Sequence, residues 1–284
     1  MLKLLRPLDV VLFFFAAALG GVLTVEPGSP ADVSTWRALA ALSAAALVGG
    51  GSNVVNDIYD IEIDQTNRPD RPLASGRVGK RSAWILWGAV SVLGVALGFW
   101  ASAIHGVIAL LSVVLLWAYS AFVKQTVLLG NLTVAVVVTL GVVYGGLALG
   151  PPTEALWAGC VLAFWILFAR EIAKDVQDVE GDRDGGAQTL PVRWGSRKSL
   201  RLVVAMIAAA ICLLPVVAVW VGEAFFVYGI AIAIALLSAW WVSLSPMSDD
   251  VAPRLAARVS SALKVALGVG ILALALARWN GALG

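Results

Sequence analysis

The sequence predicts an all-α protein that crosses a membrane many times, and three observations predict it. Of its 284 residues 60% are hydrophobic and 13% charged, and the mean hydropathy of +0.90 lies far outside the range of water-soluble chains. Apolar stretches long enough to span a bilayer recur along the whole length. The basic residues gather in alternate connecting segments.

The apolar stretches fall at 8–25, 36–56, 82–101, 103–123, 129–149, 154–172, 200–221, 224–244 and 259–279, which predicts nine transmembrane helices. Lys3 and Arg6 ahead of the first stretch imitate a signal peptide, but the many later spans favour an uncleaved first helix. The second stretch carries Gly49, Gly50, Gly51 and Ser52, so its backbone can approach a neighbouring helix or a ligand closely. The third and fourth are nearly charge-free and separated only around 101–103, which predicts a transmembrane hairpin. The last three stretches bear no chemical constellation and read as the rest of a cavity wall.

An odd helix number puts the termini on opposite sides. With the amino terminus inside, only Arg37 and Arg278 among the Lys and Arg residues fall outside, so the amino terminus is expected in the cytoplasm and the carboxy terminus beyond the membrane. Net charge is only +2 and excludes no partner class by itself. Walker, zinc-ligand and dinucleotide fingerprints are missing, so the sequence gives no reason to expect nucleic acid as a partner. Cys160 and Cys212 lie in apolar stretches and read as packing residues, as does the single histidine, His105.

Chemistry concentrates at two places. The second span ends in Asn56-Asp57-Ile58-Tyr59-Asp60-Ile61-Glu62-Ile63-Asp64, and the sixth in Asp175-Val176-Gln177-Asp178-Val179-Glu180-Gly181-Asp182. Asp57, Asp60 and Asp64 therefore recur as Asp175, Asp178 and Asp182, each set at i, i+3 and i+7, offsets that share one face of a continuous helix. Six partly desolvated carboxylates repel one another unless cations sit among them, and oxygen-only ligation points to Mg²⁺, which keeps waters and takes substrate phosphates. The bland alternative is two solvated acidic loops that cap helices.

Basic residues accompany both sets. Arg68, Arg71 and Arg77 follow the first, in a loop broken by Pro69 and Pro72, and guanidinium forks beside a metal suit phosphate oxygens. The second is preceded by Arg170, Glu171 and Lys174 and followed by Pro191, Arg193, Arg197 and Lys198, so the segments 53–77 and 171–198 form a pseudo-repeat within one domain, 1–284. The fourth span ends in Trp117-Ala118-Tyr119-Ser120-Ala121-Phe122-Val123-Lys124. Tyr119 reads either as an interfacial belt aromatic or as a ring facing an allylic cation, with Lys124 holding a departing diphosphate. Asn131-Leu132-Thr133 has the form of a glycosylation sequon but starts the fifth span on the cytoplasmic side, where glycosylation is not expected.

These residues resemble the UbiA superfamily of intramembrane prenyltransferases. The resemblance is carried by Asn56-Asp57-x-x-Asp60-x-x-x-Asp64, by Arg68-Pro69-x-Arg71-Pro72 and by Asp178-x-x-x-Asp182, and it covers nearly the whole chain. Arg68-Pro69-Asp70-Arg71-Pro72-Leu73-Ala74-Ser75-Gly76-Arg77 and the run from Arg170 to Asp182 most resemble the branch that makes ether lipids. Ala74 departs from that branch, where many relatives have proline. The resemblance implies a helical bundle around a lipid-facing cavity with a cytoplasmic acidic cap. It implies Mg²⁺-dependent transfer of a geranylgeranyl or other polyprenyl group from its diphosphate to geranylgeranylglyceryl phosphate.

On that resemblance Asn56, Asp60, Asp178 and Asp182 are the metal ligands, for two Mg²⁺ ions. Asp57, Asp64 and Asp175 become supporting or proton-handling carboxylates beside Tyr119, and Asn53, Arg68, Arg71, Arg77, Lys124 and Lys174 contact substrate. Arg71, Arg77, Arg193 and Lys198 suit the phosphate of a lipid acceptor. Two alternatives stay open: an aromatic acceptor, as in quinone, haem or chlorophyll synthesis, and, from another class, a cation transporter. The oligomeric state has no signature in the sequence.

Overall fold

The computed structural model describes residues 1–25, 34–124, 126–221, 233, 234, 236, 237, 240, 241 and 251–279. Among these the regular secondary structure is helical throughout. The chain opens with a 3-10 turn, Leu2–Leu5, followed by α1 (Pro7–Val22), α2 (Thr35–Tyr59), α3 (Ile61–Asn67), α4 (Lys80–Ala101) and α5 (Ala103–Ala118), which runs into a π-helical turn, Tyr119–Val123. Then come α6 (Leu129–Leu149), α7 (Glu154–Gln177), α8 (Val179–Asp184), α9 (Leu190–Trp194), α10 (Ser196–Val221) and α11 (Ala252–Trp279).

Seven of these helices are long and apolar enough to cross a membrane: α2, α4, α5 with its π-helical turn, α6, α7, α10 and α11. The first expected span is shorter, because α1 has 16 residues and rises only about 24 Å. Most of the expected span at 224–244 lies outside the described residues.

Contacts divide the chain into two compact units: 1–25, 30–123 and 140–151 in the first, and 26–29, 124–139 and 152–284 in the second. In the first unit α2 is the central helix, packed by α1, α4 and α5. Its glycines are the reason. A Cβ on Gly49 would strike the Phe13 ring, one on Gly50 would come within 2.8 Å of Val10 and one on Gly51 within 3.2 Å of Val90. These glycines therefore receive neighbouring helices, and close helix packing decides their reading.

The predicted hairpin of the third and fourth spans is present as α4 and α5, joined by the single extended residue Ser102. Its hydroxyl caps α5 by accepting from the His105 amide at 3.3 Å and lies 2.7 Å from His105 Nδ1. His105 is buried edge-on to Tyr144, as its packing reading required. In the second unit α7 is central, packed by α10 and α11, and Trp165 Nε1 donates to the Met206 carbonyl at 2.8 Å to tie α7 to α10.

Candidate active site

Both acidic motifs sit where a long apolar helix stops. The expectation that Asp57, Asp60 and Asp64 share one face of a continuous helix is corrected by the structure. α2 ends at Tyr59, Asp60 leaves the helical conformation at φ −96° and ψ 8°, and Asp64 belongs to α3. The second motif repeats this break almost to the degree: α7 ends at Gln177, Asp178 has φ −97° and ψ 8°, and Asp182 lies on α8. Amide bonds bracket each break alike, Asp60 N to Asn56 O at 3.0 Å and Asp64 N to Asp60 O at 2.7 Å, against Asp178 N to Lys174 O and Asp182 N to Asp178 O, both at 2.9 Å.

Asp60 and Asp178 stand at the N-cap positions of α3 and α8, yet neither side chain makes a capping hydrogen bond. A carboxylate at an N-cap normally accepts from the first free amides. The capping explanation of the two motifs therefore fails at the residues it most needs.

Around the first motif the polar groups form one chain of contacts. Arg6 Nη2 reaches Asp57 Oδ1 at 2.7 Å, and Arg71 Nη1 bridges Asp57 Oδ1 at 3.2 Å and Asp64 Oδ2 at 2.5 Å. Asn53 donates to the Leu5 carbonyl at 3.3 Å and to Asp9 Oδ2 at 3.4 Å, and accepts from Arg6 Nη1 at 3.4 Å. Asp57 and Asp64 are buried, at 3% and 5% exposure, so these arginines offset charges that water does not reach. Asn56 differs: its Oδ1 is buried with no hydrogen-bond partner among the described residues.

Two of the three arginines expected at phosphate are engaged within the protein. Arg71 is held by two carboxylates, and Arg77 is bonded inside its own loop, to Ser75 Oγ at 2.9 Å and to the Asp70 carbonyl. Ser75 in turn donates to the Arg71 carbonyl at 2.8 Å, and Gly76 turns the loop with φ +73°. Arg68 is exposed.

Around the second motif the partners are different. Asn131 Nδ2 donates to Asp175 Oδ2 at 2.7 Å, and Thr189 Oγ1 donates to Asp182 Oδ2 at 2.9 Å. Asp178 is exposed. Burial, with the neighbouring Asp178 charge adding to it, pushes the Asp182 carboxyl above the usual carboxylate range, against the opposing pull of Thr189 and Lys174. Arg193 and Lys198 are exposed.

Tyr119 is half-buried and begins the π-helical turn, a local widening found often at functional sites. Trp117 meets Phe122 edge-to-face at 5.7 Å across that turn. Lys124 follows it immediately.

Several of these partners carry no sequence signal for the site. Arg6, Asp9, Asn131 and Thr189 lie 7 to 51 residues from the site residues they contact. Only Arg6 bears a structural mark, the one positive φ (51°) of a non-glycine residue among the described residues.

Among the described residues no three Asp, Glu, His or Cys side chains are drawn together as a ready metal cage. The donor set nevertheless fits Mg²⁺. It is all oxygen, one of its members is an orphaned buried amide oxygen, and Mg²⁺ takes few protein ligands and completes its shell with water and phosphate.

Long apolar helices that end in two matched acidic breaks define a membrane-spanning protein whose oxygen donors suit Mg²⁺. The UbiA prenyltransferase family model matches residues 11–262, and the chain belongs to that family. It is 35% identical to the digeranylgeranylglyceryl phosphate synthase of Ignicoccus hospitalis, over 92% of this chain and 88% of that one. With the Methanopyrus kandleri synthase of the same name it shares 34% identity, over 96% of both chains.

Among solved structures, one of a digeranylgeranylglyceryl phosphate synthase in membranes has a TM-score of 0.81 at 24% identity, covering 98% of this chain and 97% of that one. The UbiA homologue of Archaeoglobus fulgidus bound to DMAPP and Mg²⁺ has a TM-score of 0.73 at 21% identity, covering 96% and 98%. These likenesses show the fold. The chain is thus an integral membrane prenyltransferase with UbiA architecture.

Proposed function

We propose that the protein transfers a geranylgeranyl group from its diphosphate to geranylgeranylglyceryl phosphate, forming the second ether bond of a lipid precursor. The observation that carries the chemistry is the matched pair of helix breaks at Asp60 and Asp178, each of which sets an acidic residue at the end of a long apolar helix. Support for the acceptor comes from the synthases named above, which match nearly end to end.

In this reading Asn56 and Asp60 hold one Mg²⁺, and Asp178 and Asp182 a second. Bound there, the ions supply Lewis-acid neutralisation of the diphosphate. The protein's own residues do the rest. Arg68 and Lys124 bind diphosphate oxygens and stabilise charge as the bond from the prenyl C1 to the bridging oxygen breaks. The Tyr119 ring offers its face to the allylic cation, and the apolar spans exclude the water that would trap that cation as an alcohol.

The acceptor hydroxyl oxygen then bonds to C1 and gives up its proton. Asp175 takes it, because its hydrogen-bond partner is the neutral amide of Asn131, whereas Asp57 and Asp64 neutralise arginines. Asp57, Asp64, Arg71 and Arg77 act as supports that hold the first motif and its loop, with Asn53 fastened to the Leu5 and Asp9 positions.

We place the amino terminus and both motifs on the cytoplasmic side and the carboxy terminus outside, on the distribution of Lys and Arg, with 1–284 as one catalytic domain. The test is an assay on membranes carrying the chain, with Mg²⁺, labelled geranylgeranyl diphosphate and geranylgeranylglyceryl phosphate. Labelled diether phosphate, lost with EDTA, is expected. Product only with 4-hydroxybenzoate would make the acceptor aromatic, and no Mg²⁺-dependent product would turn the reading toward transport.

A further inference from the structure

Beside the second acidic motif, α7 carries two cations gathered on one buried carboxylate. Glu171 is buried, with a side chain 10% exposed, and each of its two oxygens takes a cation: Oε1 accepts from Arg170 Nη1 at 2.6 Å and Oε2 from Lys174 Nζ at 3.3 Å. A guanidinium and an ammonium thus meet different oxygens of one carboxylate, and Lys174 also faces Asp182.

Arg170 meets Glu171 through Nη1, the terminal nitrogen remote from its side-on edge. The other edge, Nε with Nη2, is the one that pairs in parallel with two oxygens of a carboxylate or phosphate. Nε is shut off from solvent and has no hydrogen-bond partner among the described residues. A desolvated charged donor left without an acceptor is costly, and folded proteins rarely keep one unless something else supplies the acceptor.

We propose that Arg170 and Lys174 form a phosphate site, with Glu171 holding the two cations in place, and that its ligand is the phosphate monoester of the acceptor lipid. The inference rests on the reading under Proposed function and adds to it the residues that select a phosphorylated acceptor. In that reading the donor's diphosphate belongs to Arg68, Lys124 and the Mg²⁺ ligands, none of which hydrogen-bonds to Arg170 or Glu171 among the described residues. Along α7 it stands about 12 Å from Asp178 at Arg170 and about 6 Å at Lys174, from the helical rise per residue. A glyceryl phosphate headgroup anchored by its phosphate can extend its free hydroxyl over such a distance. Arg71 and Arg77, bonded within the protein, leave this task to others.

The test uses the full chain in membranes and compares geranylgeranylglyceryl phosphate with unphosphorylated geranylgeranylglycerol as acceptors. Arg170→Lys keeps the charge but removes the side-on edge, and Lys174→Gln removes a charge from a side chain that is 43% exposed, where folding tolerates it. Each is expected to raise the KM for the phosphorylated acceptor about tenfold, the loss of one charge-assisted bond. The KM for the donor should stay within about twofold, and the preference for the phosphorylated over the unphosphorylated acceptor should shrink by the same tenfold.

A rise in the donor KM instead would assign the site to the diphosphate and overturn the acceptor's claim to it. Wild-type activity with both KM values unmoved in both variants would overturn a phosphate site altogether. Failure of the wild type to use either glyceryl acceptor would instead refute the proposed function, a result visible before any variant is compared.

Discussion

At the residue scale the site sorts its polar groups by how they are satisfied. Asp57 and Asp64 are buried and held by arginines, so Arg71→Met leaves both carboxylates short of a partner and is expected to cost about 3–5 kcal/mol, the usual penalty for breaking a buried pair. Thermal unfolding of the detergent-solubilised chain reads this, and Arg71→Met combined with Asp64→Asn should recover part of the loss. Asn56 is the opposite case. Its buried Oδ1 has no donor among the described residues, so Asn56→Leu should leave stability unchanged or raise it by about 1–3 kcal/mol, while raising the Mg²⁺ concentration needed for half-maximal turnover at least about tenfold. Loss of stability with unchanged Mg²⁺ dependence would remove Asn56 from the metal site. At the second motif the Asp182 carboxyl is shifted upward and must be ionised to ligate a cation, so Mg²⁺ binding should weaken as pH falls through its raised pKa, and Asp182→Asn should remove that dependence together with most of the turnover.

At the element scale the sequence revealed some features and concealed others, and the difference is physical. Seven of the nine expected spans, the hairpin link at Ser102 and the recurrence of the acids are local patterns that the structure has where the pattern puts them. The helix breaks at Asp60 and Asp178 were not legible, because neither residue is Gly or Pro and a spacing of i, i+3, i+7 reads as one face until the chain is seen to turn. Arg6 to Asp57 and Asn131 to Asp175 are contacts across 51 and 44 residues with no local signature. The glycines show how elements approach: a Cβ on Gly145 of α6 would overlap the Ala17 carbonyl of α1, and one on Gly20 the Val142 carbonyl. Gly145→Val is therefore expected to force α1 from α6 and destabilise the protein by about 1–3 kcal/mol, seen as a lower Tm in detergent. Gly88, with nothing near its Cβ position, should tolerate Ala without that loss.

At the scale of the whole molecule, two compact units each bring one long apolar helix to an acidic break, α2 in the first and α7 in the second. Each break has its own supports: arginines around the first, Asn131 and Thr189 around the second. The motifs are therefore alike in backbone and unlike in surroundings. The positive-inside distribution predicts that a cysteine replacing Ser75, in the loop after the first motif, reacts with a membrane-impermeant maleimide only from the cytoplasmic face. One replacing Ser102, in the hairpin link, should react only from the other face or not at all.

The measurement that bears most directly on the central claim is Mg²⁺-dependent transfer of labelled geranylgeranyl to geranylgeranylglyceryl phosphate by the wild type, Asp60→Ala and Asp178→Ala chains in the same membranes. The wild type should form the labelled diether phosphate, and each variant should lose at least about a hundredfold of the rate while staying folded and inserted, since each would remove a proposed metal ligand. Full activity in either variant would contradict the account, because a break that can lose its carboxylate without consequence holds no catalytic metal.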